Sequence, residues 1–453
     1  MDLPSVAQRL TPEIQFLYAR PRGEVRLGLD STRRLLQLVG APERGIPVVH
    51  IAGTNGKGST TAFAASLLQS AGLRVGRFTS PHLLGVEERI CVDGVALDFD
   101  ALRARVREMR SAIERADASF FEAITALAAC VFRDARVDVA VYEVGLGGRL
   151  DATNALPADT CIITGIGHDH EAILGRGLGA ICAEKLGIAR PGVPLVAALT
   201  RPALVAQART YCHNLGAPLH LLPRNATQVQ ALGMDAGMRF DMRLDAKQFA
   251  LWTRFLGAHQ ARNAALATQA TRALLARRFP ARALDVDAGV ARAFMPARFQ
   301  VLPAEPGEPA VVLDVAHNAA SLRTTLDLAL QVFSAPRPTV ILGMLRDKRL
   351  TGVAQRLQKL AAGVIVTAPA VARAWDPERV AARLRRSLSV PIEVQPHAGA
   401  ALDAARAAGQ PTLILGSHYL IGELLPDLAR RRGTSAEALV AGACGDSGAR
   451  AAG

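Results

Sequence analysis

A glycine-rich turn that joins a strand-like run to a helix-like stretch restricts the fold of this chain more than any other segment. Residues 46–52 are rich in β-branched side chains, and residues 59–71 form the helix-like stretch. The turn between them, hereafter the glycine loop, reads Gly-Thr-Asn-Gly-Lys-Gly over residues 53–58. Glycines let a backbone wrap closely around phosphate oxygens, and a helix that begins there offers unpaired N–H groups.

A plain glycine turn before a helix is the alternative to a phosphate-binding loop. Gly53 lies closer to Lys57 than the full Walker pattern requires, but Gly-Lys-x-Ser stands directly at the junction of strand and helix. That order favours phosphate binding. Lys57 would then reach the β- and γ-phosphates of a nucleotide, while Ser59 or Thr60 would line the phosphate and metal site.

Short apolar runs alternate with amphipathic stretches along much of the chain. Such runs occupy residues 137–144, 160–164, 310–313, 339–342, 363–366 and 412–415. Runs of this length between helical patterns are typical of parallel strands flanked by helices. The two series predict an α/β protein with domains at residues 1–295 and 296–432. Residues 433–453 are small, polar and rich in alanine, which predicts a flexible tail.

The charge of the chain has two interpretations. The formal net charge is +13, but only five of the 53 basic residues are lysine, and aromatic residues make up 4%. Scattered arginines with so few aromatic side chains favour a compositional origin and argue against a nucleic-acid-binding surface. An anionic ligand is the alternative.

The N-terminal residues and the cysteines indicate a cellular compartment. The chain begins without the basic start and apolar run of a signal peptide, and it contains no uninterrupted apolar stretch of about 18 residues. None of its six cysteines form a Cys-x-x-Cys pair, so no zinc site is indicated. These features predict a cytoplasmic protein without a membrane span.

A series of different motifs extends over nearly the whole chain. Besides the glycine loop they are 26–29 (Arg-Leu-Gly-Leu), 79–83 (Thr-Ser-Pro-His-Leu), 121–125 (Phe-Glu-Ala-Ile-Thr), 143–154 (Glu-Val-Gly-Leu-Gly-Gly-Arg-Leu-Asp-Ala-Thr-Asn), 169–170 (Asp-His), 184–188 (Glu-Lys-Leu-Gly-Ile), 259–260 (His-Gln), 296–300 (Pro-Ala-Arg-Phe-Gln), 314–318 (Asp-Val-Ala-His-Asn), 347–348 (Asp-Lys) and 416–417 (Gly-Ser). In this order they resemble the motifs of the folylpolyglutamate synthase / dihydrofolate synthase family, a branch of the Mur ligase superfamily. The resemblance implies an N-terminal P-loop ATPase-type domain with a mostly parallel sheet and a C-terminal Rossmann-like α/β domain.

The resemblance also implies an activity. It is ATP-dependent formation of an amide between L-glutamate and dihydropteroate, and between L-glutamate and tetrahydrofolate glutamates, through an acyl phosphate. Two alternatives stay open: a Mur-type ligase acting on a cell-wall precursor, and a nucleotide-binding homologue without catalysis. The expected protein is a monomer that binds ATP, two Mg²⁺ ions and small-molecule substrates, without nucleic acid or membrane partners.

Site residues follow from the resemblance position by position. The expected ATP contacts are Thr54, Asn55, Gly56, Lys57, Gly58, Ser59, Thr60, Asn263, Arg298, Asp314 and His317. The expected metal residues are Ser59, Ser80, Glu143, His170 and Lys185, and the expected catalytic residues are Lys57, His170 and Lys185. The expected folate contacts are Leu27, Gly28, Phe120, Phe121, Glu122, Leu150, Asp151 and Ala152.

Several of these positions have a second interpretation. Lys185 is expected to be carbamylated by CO₂, because a carbamate would be attracted to magnesium whereas an ammonium would be repelled; the alternative is an ordinary helix lysine paired with Glu184 or another acid. Phe120 and Phe121 would also serve as plain core residues. The family usually has glycine where Ala297 stands and proline where Ala319 stands, and alanine resists the positive φ that glycine accepts.

Overall fold

Two compact units make up the part of the chain that the structure, a computed structural model, describes. The described residues are 10–21 and 28–441. The first unit runs to residue 293, apart from residues 231–238 and 254–257, which group with the residues from 294 onward in the second unit. None of the helices in these ranges combines the length and apolar character that a membrane crossing requires.

The first unit contains a mostly parallel sheet of eight strands. They are β1 Val48–Ala52, β2 Val75–Phe78, β3 Ile90–Val92, β4 Val95–Ala96, β5 Val139–Glu143, β6 Thr160–Ile163, β7 Leu195–Ala197 and β8 Leu219–Leu221. Their order is β4-β3-β2-β5-β1-β6-β7-β8; β3 pairs antiparallel with both β2 and β4, and the other neighbours pair parallel. A three-stranded sheet, β11-β10-β9, follows in the chain with β9 Thr227–Gly233, β10 Gly237–Leu244 and β11 Lys247–Thr253.

Helices α1 to α10 accompany these sheets. They are α1 Pro12–Ala19, α2 Asp30–Leu38, α3 Lys57–Ser70, α4 Phe99–Arg115, α5 Phe120–Asp134, α6 Glu171–Leu174, α7 Leu178–Leu186, α8 Pro202–Leu215, α9 Ala258–Arg278 and α10 Val286–Arg292. Short 3₁₀ helices cover Val86–Arg89 and Ala152–Ala155.

The core of the first unit explains why its strands are continuous apolar runs. Every residue of β1, β5 and β6 is buried, as parallel strands covered by helices on both faces must be. Helix α3 is buried from residue 58 to residue 68, and its small side chains let it pack closely against α9 and α10. The glycine loop is therefore held between a central strand and a central helix.

The second unit contains a six-stranded sheet and helices α11 to α16. The strands are β12 Arg298–Leu302, β13 Val311–Asp314, β14 Thr339–Gly343, β15 Gly363–Thr367, β16 Ile392–Val394 and β17 Thr412–Leu415, in the order β12-β13-β17-β14-β15-β16. Strand β12 pairs antiparallel with β13, and the other neighbours pair parallel. The helices are α11 Ala319–Val332, α12 Ala354–Leu360, α13 Pro377–Arg385, α14 Ala398–Ala407, α15 His418–Arg431 and α16 Ala436–Ala441.

The α/β prediction with two mostly parallel sheets is confirmed, but the predicted tail needs a correction. Residues 436–441 form helix α16 instead of a flexible end, because Ala436 and Leu439 are buried on one face of it. Alanine is the best helix former, so an alanine-rich composition did not indicate disorder here. The rest of the predicted tail, residues 442–453, lies outside the described residues.

Candidate active site

Two glycines of the glycine loop occupy positions that no other residue fits. Gly53 has φ +155°, and a Cβ added to it would lie 1.8 Å from the Oγ1 of Thr164. Gly56 has φ +86° and precedes helix α3, and a Cβ there would lie 2.8 Å from the Oδ1 of Asn263. The glycine pattern therefore reflects both backbone conformation and close packing.

The segment that follows strand β6 fastens the glycine loop from one side. The N–H of Thr54 donates to the carbonyl of Gly165 over 2.9 Å, and its Oγ1 donates to the carbonyl of Gly167 over 3.1 Å. The Oγ1 of Thr164 donates to the carbonyl of Asn55 over 2.7 Å. These three bonds fix the conformation of the loop.

Two lysines converge on one carbonyl of the glycine loop. The Nζ of Lys57 donates to the carbonyl oxygens of Gly53 and Thr54 over 3.2 and 3.4 Å, and the Nζ of Lys185 donates to the same Gly53 oxygen over 2.9 Å. Lys185 is only 4% exposed. Burial, together with the charge of Lys57, lowers the pKa of Lys185 to about 7. Two amines next to one carbonyl oxygen concentrate positive charge beside the glycine loop.

The first turn of helix α3 supplies further polar groups beside the loop. Gly58, Ser59 and Thr60 are buried at the start of this helix. The Oγ1 of Thr60 is buried and has no hydrogen-bond partner among the described residues. The predicted ATP residue Asn263 lies against Gly56 and donates from its Nδ2 to the Oε1 of Gln260 over 2.9 Å.

Three predicted metal residues end or follow parallel strands of the first unit. Glu143 is the last residue of β5, and its Oε2 accepts a hydrogen bond from the N–H of Ser80 over 3.1 Å. His170 follows β6 and has a left-handed backbone with φ +52°, and its Nε2 lies 3.8 Å from the Oδ1 of Asp169. Ser80 and Glu143 are thus in contact, whereas His170 lies in the segment between β6 and helix α6.

The side chains at the carboxyl edge of the sheet are compatible with magnesium, which needs few ligands from the protein. Among the described residues no group of three or more His, Cys, Asp or Glu side chains could hold a metal ion. Magnesium prefers hard oxygen ligands and commonly takes only one or two carboxylates, with waters and phosphate oxygens completing its shell. The buried carboxylate of Glu143, at the strand edge that carries the glycine loop, meets that requirement.

The loop after Glu143 is folded around the carboxylate of Asp151. Its Oδ2 accepts from the N–H of Leu146 over 2.8 Å, and its Oδ1 accepts from the N–H and the hydroxyl of Thr153. Burial raises the pKa of Asp151. Leu150 is half-buried and Ala152 is buried on either side of it. Asp151 therefore shapes the loop that carries three predicted folate contacts.

The two predicted folate phenylalanines are packed into aromatic clusters. The ring of Phe120 lies 5.5 Å from that of Tyr18 and 5.2 Å from the guanidinium of Arg89. The ring of Phe121 lies 5.8 Å from that of Phe78, which is fully buried. Both side chains thus have partners in the protein, and Phe121 remains partly exposed.

Two other predicted folate contacts have structural surroundings of their own. Glu122 caps helix α5: its Oε2 accepts from the N–H of Ser119, and its Oε1 accepts from the hydroxyl of Thr32. Gly28 is half-buried, and no atom lies within 4 Å of the position that a Cβ would take there. Leu27 lies outside the described residues.

In the second unit the predicted ATP residues surround the end of strand β13. The Oδ2 of Asp314 accepts from the N–H of Phe299 over 2.8 Å, and its Oδ1 accepts from the N–H of Ala316 over 2.8 Å and from the hydroxyl of Thr325 over 3.1 Å. Burial raises the pKa of Asp314, while these hydrogen bonds and the charge of Arg298 oppose the rise. Arg298 and Asp314 are thus brought together.

His317 and Ala319 lie in the connection from β13 to helix α11. The Nδ1 of His317 lies 2.9 Å from the carbonyl oxygen of Val315, and its ring lies 5.6 Å from that of His418. Ala319 is the first residue of α11. Proline is favoured at that position in helices, and alanine is also compatible with it, so this departure from the family pattern has little structural consequence.

Arg298 stands between two residues that bend the chain in an unusual way. Ala297 has φ +52° and Phe299 has φ +51°, and the pairing of β12 with β13 is irregular between Arg298 and Gln300. A residue with a Cβ costs about 1–2 kcal/mol in this left-handed region. Ala297 therefore has the conformation that the family's glycine accepts without strain.

Two residues of these arrangements were absent from the predicted site. Thr164 contacts the glycine loop, and Gln300 contacts the backbone of Ala297. A signal for Thr164 was its place at the end of a buried strand, beside the loop that leads to His170. Gln300 lies within the motif Pro-Ala-Arg-Phe-Gln, but nothing in the motif gave it a role.

Comparison with known proteins identifies the family of this chain. The Mur ligase glutamate ligase domain matches residues 297–417. The dihydrofolate synthase/folylpolyglutamate synthase of Bacillus subtilis is 34% identical over 356 residues, which cover 76% of this chain and 82% of that protein. The protein of the same name from Escherichia coli is 30% identical over 434 residues, covering 95% of this chain and 98% of that protein.

Solved structures give the same result. The folylpolyglutamate synthase of Mycobacterium tuberculosis complexed with ADP superimposes with a TM-score of 0.83 at 28% identity, covering 92% of this chain and 98% of that chain. FolC of Escherichia coli in complex with DHPP and ADP gives a TM-score of 0.80 at 28% identity, covering 94% and 99%. The chain therefore belongs to the folylpolyglutamate synthase / dihydrofolate synthase family of the Mur ligase superfamily, as its motifs predicted.

Proposed function

We propose that this protein is an ATP-dependent ligase that joins L-glutamate to dihydropteroate and also to tetrahydrofolate glutamates. The observation that carries the proposal is the glycine loop with Lys57 and Lys185 on one carbonyl, next to the buried carboxylate at the end of β5. Family membership supports it, as do relatives solved with ADP and with DHPP.

The chemistry requires activation of a carboxylate. A carboxylate does not react with an amine at neutral pH, because its oxygen is a poor leaving group. Transfer of the γ-phosphoryl group of ATP to that oxygen makes an acyl phosphate. The amine of glutamate then attacks the acyl carbon, and the tetrahedral intermediate collapses to the amide with loss of phosphate.

The chain's own residues supply positive charge where these steps develop negative charge. Lys57 leaves the carbonyls of Gly53 and Thr54 and pairs with the phosphates, which also accept hydrogen bonds from the first turn of helix α3. In this proposal the remaining ATP contacts of the first unit are Asn55, Gly56, Gly58, Ser59, Thr60 and Asn263, and those of the second unit are Arg298, Asp314 and His317.

Magnesium is the proposed metal, in two positions. The residues that would hold it are Glu143, Ser80, Ser59, His170 and Lys185. When bound it neutralises charge on the transferring phosphoryl group as a Lewis acid. The contact between Glu143 and Ser80, at the strand edge that carries the glycine loop, supports this assignment.

Lys185 is proposed to act as a carbamate. Its side chain is buried, lies beside the second cation Lys57, and donates to the same carbonyl oxygen. Conversion of the Lys185 amine to a carbamate would replace repulsion from Lys57 by attraction. The always protonated guanidinium of an arginine could not be modified in this way. Glu184, the neighbouring acid that an ordinary helix lysine would pair with, instead pairs with Arg149 over 2.8 Å.

The folate site is proposed beside the end of strand β5. Its proposed contacts are Leu27, Gly28, Phe120, Phe121, Glu122, Leu150, Asp151 and Ala152. Partial exposure of Phe121 and Leu150 supports a role for their side chains at the surface of a pterin. The capping bonds of Glu122 and the loop bonds of Asp151 support roles in which these carboxylates position backbone next to the substrate.

We propose that the enzyme is a cytoplasmic monomer without nucleic acid partners. The five cysteines among the described residues are free and buried, as is typical of proteins from reducing compartments. The arginines are scattered instead of clustered around aromatic side chains, which supports small anionic substrates over nucleic acid.

A product assay tests the proposed function. The protein is incubated with ATP, Mg²⁺ and L-glutamate, and with dihydropteroate or tetrahydrofolate as acceptor; glutamylated products and ADP are measured together. We expect product with both acceptors. Lys57→Met should abolish turnover, and Lys359→Met, which changes an exposed lysine on α12, should have no effect. Two results would contradict the proposal: product formation only with a cell-wall precursor as acceptor, or no product with any acceptor tested.

A further inference from the structure

The backbone around Arg298 is held in a conformation that it would not keep by itself. Ala297 and Phe299, on either side, both have a left-handed backbone. Such residues persist only where surrounding contacts determine them, and they cluster at functional sites. We call residues 297–299 the bulge. The contacts of its backbone therefore determine the position from which the Arg298 side chain extends.

Three backbone groups of the bulge are held by hydrogen bonds. The N–H of Phe299 donates to the Oδ2 of Asp314 over 2.8 Å, and the carbonyl of Ala297 accepts from the N–H of Val315 over 3.0 Å. The N–H of Ala297 donates to the Oε1 of Gln300 over 2.9 Å. Asp314 is already a proposed ATP contact, whereas Gln300 has no assigned role.

The other end of the Gln300 amide reaches the C-terminal helix. Its Nε2 donates to the carbonyl of Leu439 over 2.9 Å. Leu439 lies in helix α16 and is fully buried, and its carbonyl is among the last four of a helix, which have no partner within the helix. A backbone N–H on one side and a carbonyl on the other fix the orientation of the amide, because only one orientation satisfies both.

We infer that Gln300 is a positioning residue for Arg298, and that helix α16 supports the ATP site through it. The side chain of Gln300 links the strained Ala297 to helix α16, so the bulge cannot relax without breaking one of two hydrogen bonds. The inference rests on the proposed function, which assigns Arg298 to the phosphates of ATP. Helix α16, which lies within the segment predicted to be a flexible tail, would then help to support the active site.

A purely structural role for Gln300 makes a different prediction. If its amide only helped to dock α16, its loss would lower the melting temperature and leave ATP binding unchanged. Arg432 provides a control for a loss of stability that does not involve the bulge. Its side chain is 4% exposed, and it donates to the carbonyls of Pro303 and Pro309 instead of to the bulge.

The experiment compares Gln300→Met, Arg432→Met, Ala297→Gly and the double variant Ala297→Gly/Gln300→Met in the full chain. Methionine keeps the length of glutamine and removes both hydrogen bonds. Each variant is measured for its melting temperature, its KM for ATP and for glutamate, and its affinity for ADP by calorimetry. The ADP measurement remains informative even if the proposed ligase activity fails.

We expect Gln300→Met to raise the KM for ATP and the Kd for ADP about tenfold, which is the size of effect that the net free energy of lost hydrogen bonds gives. The KM for glutamate should stay constant. Ala297→Gly/Gln300→Met should recover to within about threefold of the parent, because glycine adopts the left-handed conformation without support. Arg432→Met should lower the melting temperature only.

Two results would overturn the inference: parent-like ADP affinity in Gln300→Met, or no recovery in the double variant. If Gln300→Met fails to fold, Gln300→Glu replaces it, alone and with Ala297→Gly. The carboxylate accepts from the N–H of Ala297 but cannot donate to Leu439. A loss of ADP affinity that Ala297→Gly reverses supports the inference, and an unchanged affinity or an irreversible loss contradicts it. Absence of ligase activity in the parent, with ADP binding intact, would count against the proposed function alone.

Discussion

The glycine loop of the first unit and the arginine bulge of the second unit meet the same conformational requirement in different ways. Both place a positively charged side chain next to backbone with positive φ. The loop uses Gly53 and Gly56, which adopt that conformation freely. The bulge uses Ala297 and Phe299, which are held there by Gln300 and Asp314.

The difference shows what each region tolerates. At Gly53 a larger residue could be accommodated only if Thr164 moved, because the space for a Cβ is already filled. At Ala297 a Cβ is present and buried, so the cost lies in the backbone and not in crowding. Substitution of Gly53 should therefore disturb the structure strongly, whereas substitution of Ala297 by glycine should have a small or stabilising effect.

The largest expected effect is that of Gly53→Ala. The new methyl group would lie 1.8 Å from the Oγ1 of Thr164, so strand β6 and the loop must separate. We expect ATP-dependent turnover to fall by at least about 100-fold, because small displacements of reacting groups have effects of that size. Steady-state kinetics with saturating ATP measures it. Partial recovery in Gly53→Ala/Thr164→Ala is expected, and a fully active Gly53→Ala would contradict the close packing.

A second effect concerns pH and Lys185 near the loop. The pKa of this buried lysine is about 7 in the folded protein, against an ordinary value of 10.5. Between about pH 7 and pH 10.5 the unfolded chain binds a proton at Lys185 that the folded chain lacks, so the free energy of unfolding rises with pH. Below about pH 7 Lys185 is protonated in both states, and its contribution to the free energy of unfolding no longer changes with pH. Lys185→Met should remove this rise, which amounts to a few kcal/mol.

Denaturant unfolding of the parent and of Lys185→Met, at several pH values between neutral and strongly alkaline in CO₂-free buffer, measures this difference. Lys359→Met is the control, because Lys359 is exposed. Parallel pH profiles for the parent and Lys185→Met would show that the ammonium is not destabilised by its surroundings.

A smaller effect is expected from Thr164, which holds the carbonyl of Asn55. Thr164→Val keeps the shape of the side chain and removes its hydroxyl, and we expect the KM for ATP to rise about tenfold. Thr164→Ser keeps the hydroxyl and should stay within about threefold of the parent. Equal KM values for ATP in the two variants would show that the hydroxyl does not position the loop.

The smallest effect, and one of opposite sign, is expected in the bulge. Ala297→Gly removes the strain of a left-handed alanine, and this gain outweighs the added freedom of the unfolded chain. We expect stabilisation of about 1 kcal/mol, measured as a shift of the denaturation midpoint without a change in slope. Destabilisation on that scale would mean that the Cβ of Ala297 contributes more by packing than its backbone conformation costs.

The sequence predicted those parts of the site that depend on local order. Strand, glycine loop and helix are consecutive, so their order could be predicted from spacing alone. Glu143 could be placed because the carboxyl ends of parallel strands share one edge of the sheet. The fold class followed from the alternation of strands and helices, and the family motifs gave the expected site residues.

Contacts between distant segments could not be predicted in this way. Gly53 packs against Thr164, and Gln300 bonds to Leu439, but no periodicity links such positions. Helix α16 was missed because its composition resembles that of a flexible end, and only burial of Leu439 distinguishes the two. The positive φ of Ala297 is likewise a product of tertiary contacts, which override local preference.

The central claim is that the protein transfers a phosphoryl group directly to the carboxylate of its substrate. Dihydropteroate labelled with ¹⁸O in both carboxylate oxygens tests it most directly, with ATP, Mg²⁺ and L-glutamate present and the released phosphate analysed by mass spectrometry. An acyl phosphate predicts one ¹⁸O atom in each phosphate released with product. Product formation with unlabelled phosphate would contradict an acyl phosphate and, with it, the proposed role of the phosphate-binding loop in catalysis.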